Sequence, residues 1–247
     1  MYNDSLDHQI SIIIPCRNEE KNIPLIIPAL LRLYNKYIFN IIVVDDCSND
    51  NTKSAALKMV KRFSRVKYIQ RTIHPGVGNA LKEGISHVSH RSNYILFMDC
   101  DFIFNVLDVA RMINKIRYCD GVVGSRFINK KSLIDYPIVK KIANRTYHLL
   151  IYHLFGYRQK DVTNNFKLYR KELVYNILPI LQSSDFAINA ELGYFPLMFG
   201  AKIEEIPVVW KERTAKMGIS KFKVLLTGPS YFRVLIRMIK YNFLSHI

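Results

Sequence analysis

The stretch Tyr94 to Asp101, YILFMDCD, ends an apolar run in two carboxylates, Asp99 and Asp101, with one residue between them. Two acids so spaced at the end of a buried strand can reach one hard cation. Mg²⁺ takes one or two protein carboxylates together with phosphate oxygens of a substrate, and Mn²⁺ accepts the same oxygen ligands. A cation held this way neutralises a diphosphate and stabilises it as a leaving group. Alone, the spacing also suits a solvated turn; its place at the end of an apolar strand is what gives it weight. A second polar cluster, VVDDCSNDNT, puts Asp45 and Asp46 at the end of another apolar run, with Asp50 and Thr52 placed to cap a following helix. A carboxylate there can accept hydrogen bonds from a ribose or a base. The segment IHPGVGNALKEG matches neither GxxxxGK[ST] nor GxGxxG, and reads as a tight turn leading into a helix.

These residues need elements to position them, and the first half of the chain supplies an alternation. Continuous apolar runs at Ile10–Pro15, Ile41–Asp46, Val66–Gln70, Tyr94–Asp99 and Asp120–Phe127 read as strands buried on both faces. Helical patterns fall between them, at about Glu19–Lys36, through ALKMVKRF, through GVGNALKEGI and at about Val106–Arg117. Strand and helix in alternation predict right-handed crossovers and a mostly parallel sheet with helices on both faces. Ligands bind such sheets beyond the carboxyl ends of the strands, where the polar clusters gather. The second half predicts helices at Pro137–Phe155 and Asp185–Phe199, a short strand and helix start in FKLYRKEL, a strand at Ile203–Trp210 and a basic loop at Lys211–Lys223. The tail, YFRVLIRMIKYNFL, spaces Arg233, Arg237 and Lys240 along one face of a helix. One α/β domain over residues 1–222 and an amphipathic extension over 223–247 follow.

The chain has 247 residues, 36 Lys plus Arg against 20 Asp plus Glu, and a formal net charge of +16. That surplus favours an anionic partner: nucleic acid, an anionic membrane surface or a phosphorylated substrate. The four cysteines form no CxxC pair and read as free thiols. No apolar run approaches the roughly 20 residues that span a bilayer, and MYNDSLDHQI lacks the pattern of a signal peptide.

The segments SIIIPCRNEE, IIVVDDCSNDNT, DCD, GSRF, DVTNNFKLYR, FAINAEL and RTAKMGISKF stand in the order seen in family 2 glycosyltransferases. The chain resembles the branch that makes polyprenyl- or dolichyl-phosphate sugars, over about Ile10–Phe222. The resemblance implies a GT-A (Rossmann-like) fold, a nucleotide-sugar donor (GDP-mannose or a UDP-sugar), inversion at the anomeric carbon, Mg²⁺ or Mn²⁺, and a polyprenyl or dolichyl phosphate acceptor. It assigns Pro15, Arg17 and Glu19 to the nucleotide, and Asp46 with Val44 beside it to the base. Asp99 and Asp101 fall to metal and diphosphate, and Arg126 to the phosphates. Arg213, Ser220 and Lys221 belong to a loop that closes over donor and acceptor, and Asp161 and Glu191 are acids near the acceptor or sugar. Arg17 stands where tyrosine is usual, Cys47 and Val77 where glycine and lysine are frequent, Ile103 where many relatives carry a glutamine, and NNFK in place of a GFR-like segment.

Transfer to a phosphate suits this composition. A phosphate monoester is already anionic near neutral pH and needs its charge held and aligned, which basic side chains and a cation do. Helices with apolar and basic positions suit an anionic membrane surface. The expected placement is peripheral, on the cytosolic face, with room for a separate membrane subunit. Transfer to a hydroxyl is the nearest alternative and would need a base, for which Asp161, Asp185 and Glu191 are candidates. A nucleotidyltransferase lacks its glycine-rich, lysine-bearing loop here. Nucleic-acid binding, the remaining alternative, leaves the strand-end acids without a purpose.

Overall fold

The computed structural model describes residues 6–129, 132–211 and 224–244. Along the chain the elements are β1 (Ile10–Cys16), α1 (Ile23–Tyr34), β2 (Ile38–Asp46), α2 (Thr52–Arg62), β3 (Val66–Arg71), α3 (Val77–Ser86), β4 (Tyr94–Phe97), α4 (Val109–Lys115) and β5 (Gly121–Ser125). They continue with β6 (Leu133–Ile134), α5 (Ile138–Phe155), β7 (Lys167–Arg170), α6 (Lys171–Ile177), α7 (Ile188–Met198), β8 (Ile203–Pro207), β9 (Trp210–Lys211) and α8 (Val224–Leu244).

Seven strands form one sheet in the order β3-β2-β1-β4-β7-β5-β8. The pairs β1–β2, β2–β3, β1–β4 and β5–β8 are parallel. Strand β7 alone runs against its neighbours β4 and β5, with Phe97 opposite Lys167 and Tyr94 opposite Arg170. The expected mostly parallel α/β sheet is therefore present, with one reversed strand in its middle.

The β-branched runs are buried on both faces, as continuous apolar strands must be. Alternate residues serve opposite layers. Ile12, Ile14, Ile41, Val43 and Leu96 pack with α1, α2 and α4, whereas Ile13, Ile42, Val44, Ile95 and Phe97 pack with α3, α7 and α8. Helix α3 lies close over β1 and β2 because Gly84 presents no Cβ; one built there would sit 2.5 Å from the Ile13 Cγ2. The expected strand Ile203–Trp210 is divided: β8 ends at Pro207, and Trp210 joins β9, which pairs with β6. The expected helix from Val106 starts as a 3-10 turn and becomes α-helical only from Val109.

The tail helix does not present all its basic residues to solvent. Val234, Leu235 and Met238 of α8 are buried in the same core cluster as α7. Arg237, expected beside Arg233 and Lys240, turns inward and pairs with Glu191 of α7. The Glu191 carboxylate also accepts from the Gln182 N–H (3.0 Å) and the Ser183 N–H and hydroxyl (3.0 and 2.6 Å). The pair pins α8 to α7 and shapes the 182–185 turn. Removing one partner of a buried ion pair strands the other charge and costs about 3–5 kcal/mol. Glu191→Gln and Arg237→Met should each lower the unfolding free energy by that order in urea titration, and the double variant should lose less than the sum.

Candidate active site

A cavity of about 710 Å³ opens beyond the carboxyl ends of β1, β2 and β4. Pro15, Arg17, Glu19, Asp46, Asp99, Asp101 and Arg126 all line it, from four segments of the sequence. The rim on which polar residues were expected to converge is thus the mouth of this cavity.

Two loops build the β1–β2 end by bonding to each other. The Asn18 N–H donates to the Ser48 Oγ (2.9 Å), the Asn49 N–H to the Asn18 Oδ1 (2.9 Å) and the Glu19 N–H to the Thr52 Oγ1 (2.7 Å). The Asp50 carboxylate receives the Thr52 N–H (2.9 Å), so it shapes the start of α2 as its side chain suggests. Cys47 has φ of 59°, in the left-handed region. Its Cβ makes that conformation cost about 1–2 kcal/mol, which explains why glycine is frequent there. All four cysteines are free thiols.

The two adjacent acids of β2 divide. Asp45 turns away from the cavity, accepting from the Tyr68 hydroxyl (2.7 Å) and the Ser48 N–H (3.1 Å). Asp46 lines it, held by the Arg71 guanidinium (3.0 Å) and the Gly76 N–H (2.7 Å). The Gly76–Gly78 turn lies against the 182–185 turn: the Gly78 N–H donates to the Ser184 carbonyl at 2.8 Å, and a Cβ at Gly78 would meet the Ser183 carbonyl at 2.4 Å. Val44, assigned to the base by resemblance, belongs instead to the core under α3. Its side chain alternates to the helix-covered face, and Asp46 alone of that pair reaches the cavity.

Asp99 and Asp101 stand together on the cavity wall, and the Asn165 amide N–H donates to the Asp99 Oδ1 at 2.6 Å. Among the described residues no group of three or more His, Cys, Asp or Glu side chains is placed to hold an ion. Two carboxylates beside an open cavity nonetheless fit a cation that completes its shell with water and ligand phosphate. Ile103, packed on the core, brings no oxygen to it.

Arg126 follows β5 and faces the cavity with its rear held by Asp161. Its Nε and Nη2 bond the two carboxylate oxygens at 2.6 and 2.8 Å, and its N–H adds a third bond at 2.9 Å. Burial works to raise the Asp161 carboxyl, but the charge and hydrogen bonds of Arg126 outweigh it and hold it below the usual carboxylate range. Asp161 is wholly buried and does not line the cavity. It is the anchor of Arg126 rather than an acid that meets substrate. Glu191 is likewise absent from the lining and committed to Arg237. Both corrections share a cause: in each case a buried carboxylate faces an arginine that is distant in sequence. Arg213, Ser220 and Lys221 lie outside the described residues.

Several lining residues escaped the sequence reading: Tyr136, Lys140, Asn144, Asn164, Asn165, Asn189 and Trp210. The signal for two of them was the NNFK segment itself, noticed only as a departure. Lys167 is a further surprise. Its ammonium is fully buried under the site, donates to the Asn164 carbonyl, and is pulled down to about 7 by desolvation, against the pull of Asp161 and Asp99. His148 is buried on α5, and desolvation lowers it to about 4, so it stays neutral as a packing residue.

The Glycosyl transferase family 2 model matches residues 11–178. Over 234 residues the chain is 29% identical to the dolichyl-phosphate beta-glucosyltransferase of Saccharomyces cerevisiae, covering 85% of this chain and 69% of that protein. The Homo sapiens dolichyl-phosphate beta-glucosyltransferase is 28% identical over 226 residues, covering 85% and 69%. Among solved structures, the glucosyl-3-phosphoglycerate synthase of Mycobacterium tuberculosis, in complex with Mn²⁺, UDP-glucose and phosphoglyceric acid, superposes with a TM-score of 0.66 at 18% identity, over 83% of this chain and 72% of that one. At that identity the superposition speaks for the fold alone.

Two outcomes follow from this geometry. Asp161→Asn should leave Arg126 without its counter-charge and cost several-fold or more in activity together with about 3 kcal/mol of stability, read by kinetics and denaturation on the same sample. Lys167 is depressed in the folded state, so between about pH 7 and its unfolded value the unfolded chain binds more protons. Stability contributed by this group therefore rises with pH across that window, by up to about 1.4 kcal/mol per unit. Lys167→Met should flatten the slope of unfolding free energy against pH there.

Proposed function

We propose that this chain, which belongs to glycosyl transferase family 2, moves a hexosyl group from a nucleotide sugar to the phosphate of a polyprenyl or dolichyl phosphate at a membrane surface. Glucose is the sugar in the names of the relatives, dolichyl-phosphate beta-glucosyltransferases, and UDP-glucose is the nucleotide sugar bound in the superposed synthase. The observation that carries the reading is the junction of two unlike surfaces at one cavity. Its floor gathers Asp46, Asp99, Asp101 and Arg126; its mouth is framed by Leu150 of α5, 40% exposed, and Phe232 of α8, 60% exposed.

The apolar frame extends outward. Ile138, Val139, Ile142, Leu149 and Leu154 of α5 and Leu226 of α8 are exposed, with Lys141 among them. Helix α5 buries only His148 and Ile151 well, so most of its apolar side chains face away from the core. A helix of that kind lies at a bilayer interface, with apolar side chains among the acyl chains and basic ones at the headgroups. Among the described residues no helix is long and apolar enough to cross a membrane. The proposed placement is peripheral, on the cytosolic face.

In the proposed reaction an acceptor phosphate oxygen attacks the anomeric carbon. The bond from that carbon to the donor diphosphate breaks, and the configuration inverts. Pro15, Arg17, Glu19 and Asp46 hold the nucleotide. A divalent cation on Asp99 and Asp101 would neutralise the departing diphosphate. Arg126, charged and fixed by Asp161, and Lys140 at the mouth face the acceptor phosphate. Arg213, Ser220 and Lys221 are proposed to close over both phosphates. The nucleophile is already anionic, so the reaction has no need of the general base that Asp161 and Glu191 are too buried to provide.

The test is transfer of labelled glucose from UDP-glucose, beside GDP-mannose, into a polyprenyl phosphate in vesicles with Mg²⁺ or Mn²⁺. Label should enter the lipid phase, and Asp101→Asn should reduce it by about 100-fold or more, the scale of losing an electrostatic contact to the leaving group. Donor hydrolysis without lipid labelling would move the acceptor to a soluble hydroxyl, with Asp185 on the cavity wall as its base.

A further inference from the structure

The 3-10 turn Ile103–Asp108 directly follows Asp101 and Phe102, which line the cavity. In such a turn side chains three residues apart eclipse one another, so Phe104 and Leu107 point the same way. Both face water: Phe104 is 66% exposed and Leu107 is 70% exposed. The turn behind them is held fast. The Tyr34 hydroxyl donates to the Val106 carbonyl at 2.8 Å, and the Asn105 amide N–H donates to the Val209 carbonyl at 2.9 Å. Asn105 and Val106 are themselves buried, so the exposed pair cannot be withdrawn without breaking these bonds.

The pair is one end of a connected series of exposed apolar residues. Asn105 joins the turn to Val209, which is exposed. Val209 precedes Trp210, the one tryptophan of the sequence, and the β9 strand that Trp210 opens pairs with β6, whose Ile134 is exposed. The Trp210 ring packs edge-on against Tyr136, centroids 4.7 Å apart, and the Lys140 ammonium lies 6.0 Å from its centroid. Lys140 belongs to α5, whose exposed apolar side chains frame the cavity mouth. These segments follow the carboxyl ends of β4, β5 and β8, so they share the rim on which the cavity opens. Cations outnumber acids along it: Arg111, Lys140, Lys141 and Lys211 against Asp135 and Asp108, the latter paired with Arg111 at 3.1 Å. Apolar side chains joined through tryptophan and tyrosine, with cations between them, match the chemistry of a membrane–water boundary carrying anionic lipid.

We infer that Phe104 and Leu107 form a second membrane anchor, entering the same bilayer interface as the outer faces of α5 and α8. This rests on the membrane-surface placement proposed above and is independent of which sugar is moved. With anchors after β4 as well as after β5, the carboxyl rim of the sheet faces the bilayer. The cavity mouth then lies at the depth of the lipid phosphates, and an acceptor phosphate meets Arg126 and the acids without leaving its leaflet.

Co-sedimentation of the full chain with vesicles of equal parts phosphatidylcholine and phosphatidylglycerol, without donor or acceptor, reads this contact directly. Phe104→Ser and Leu107→Ser should each weaken partitioning about 10-fold, the scale of burying one large apolar side chain. Leu57→Ser on α2, also at an exposed apolar position, should leave it unchanged, and all three variants should unfold in urea as the wild type does. Phe104→Trp in a Trp210→Phe background puts a single tryptophan on the turn, and its emission should be quenched by brominated acyl chains. If the wild type binds the vesicles but the Phe104 and Leu107 variants bind equally well, or the Phe104→Trp emission is not quenched, α5 and α8 carry the contact alone and the inference is overturned. It is overturned equally if Phe104→Ser dissociates a self-associated form of the chain and leaves vesicle binding untouched, because the patch then serves a second copy. If the wild type does not bind the vesicles, the membrane placement itself fails and the inference with it.

Discussion

Asp161 holds a charge where water is excluded, and the catalytic face is assembled around that fact. A carboxylate so deep in a protein stays ionised only if a cation and hydrogen bonds replace its hydration. Arg126 supplies both through its side chain and its N–H. The Glu205 carboxylate fixes the other side of the same segment, accepting from the Lys160 and Asp161 N–H groups at 2.8 Å each. An arginine clamped by two parallel bonds has little freedom left, so its remaining face stays aimed into the cavity without further loss of entropy when a ligand arrives. The end of β5, the 160–166 segment and β8 are thereby locked into one unit.

The same rule recurs on the far wall. Glu191 and Arg237 neutralise each other between α7 and α8, and their partners in the 182–185 turn lean on Gly76 and Gly78. Gly76 in turn donates to Asp46. A tail helix that looked like an appendage is therefore joined by consecutive hydrogen bonds to Asp46 on the cavity wall. Lys167 shows the limit of the rule. It has no ion-pair contact of its own among the described residues, and desolvation accordingly brings its ammonium close to neutrality.

Apolar surface is disposed with equal economy. The sheet's two faces are covered by helices, yet α5 presents most of its apolar side chains outward beside the cavity mouth. Exposed apolar side chains of this number, with Lys141 among them, are the surface on which the proposed membrane contact rests. The polar floor and the greasy mouth suit a substrate with a charged head and a hydrocarbon tail.

Much of this was determined by the sequence alone. Period and β-branched runs specify buried strands, alternation with helical patterns specifies a parallel sheet, and the carboxyl ends of parallel strands then locate Arg17, Asp46, Asp99, Asp101 and Arg126 on one rim. These are local signals combined with a general rule of handedness, and neither needs to know which distant residues meet. What only the tertiary structure decided depends on such meetings. That Asp161 and Glu191 hold arginines instead of substrate, that Arg237 faces inward, and that Val44 is core could not be read from spacing, because burial and partner choice are set by residues 35 to 46 positions away. The reversal of β7 is the clearest case. A four-residue strand carries no mark of its direction, yet that direction places Asn164 and Asn165 at the active rim, where a parallel strand would have put them on the opposite edge.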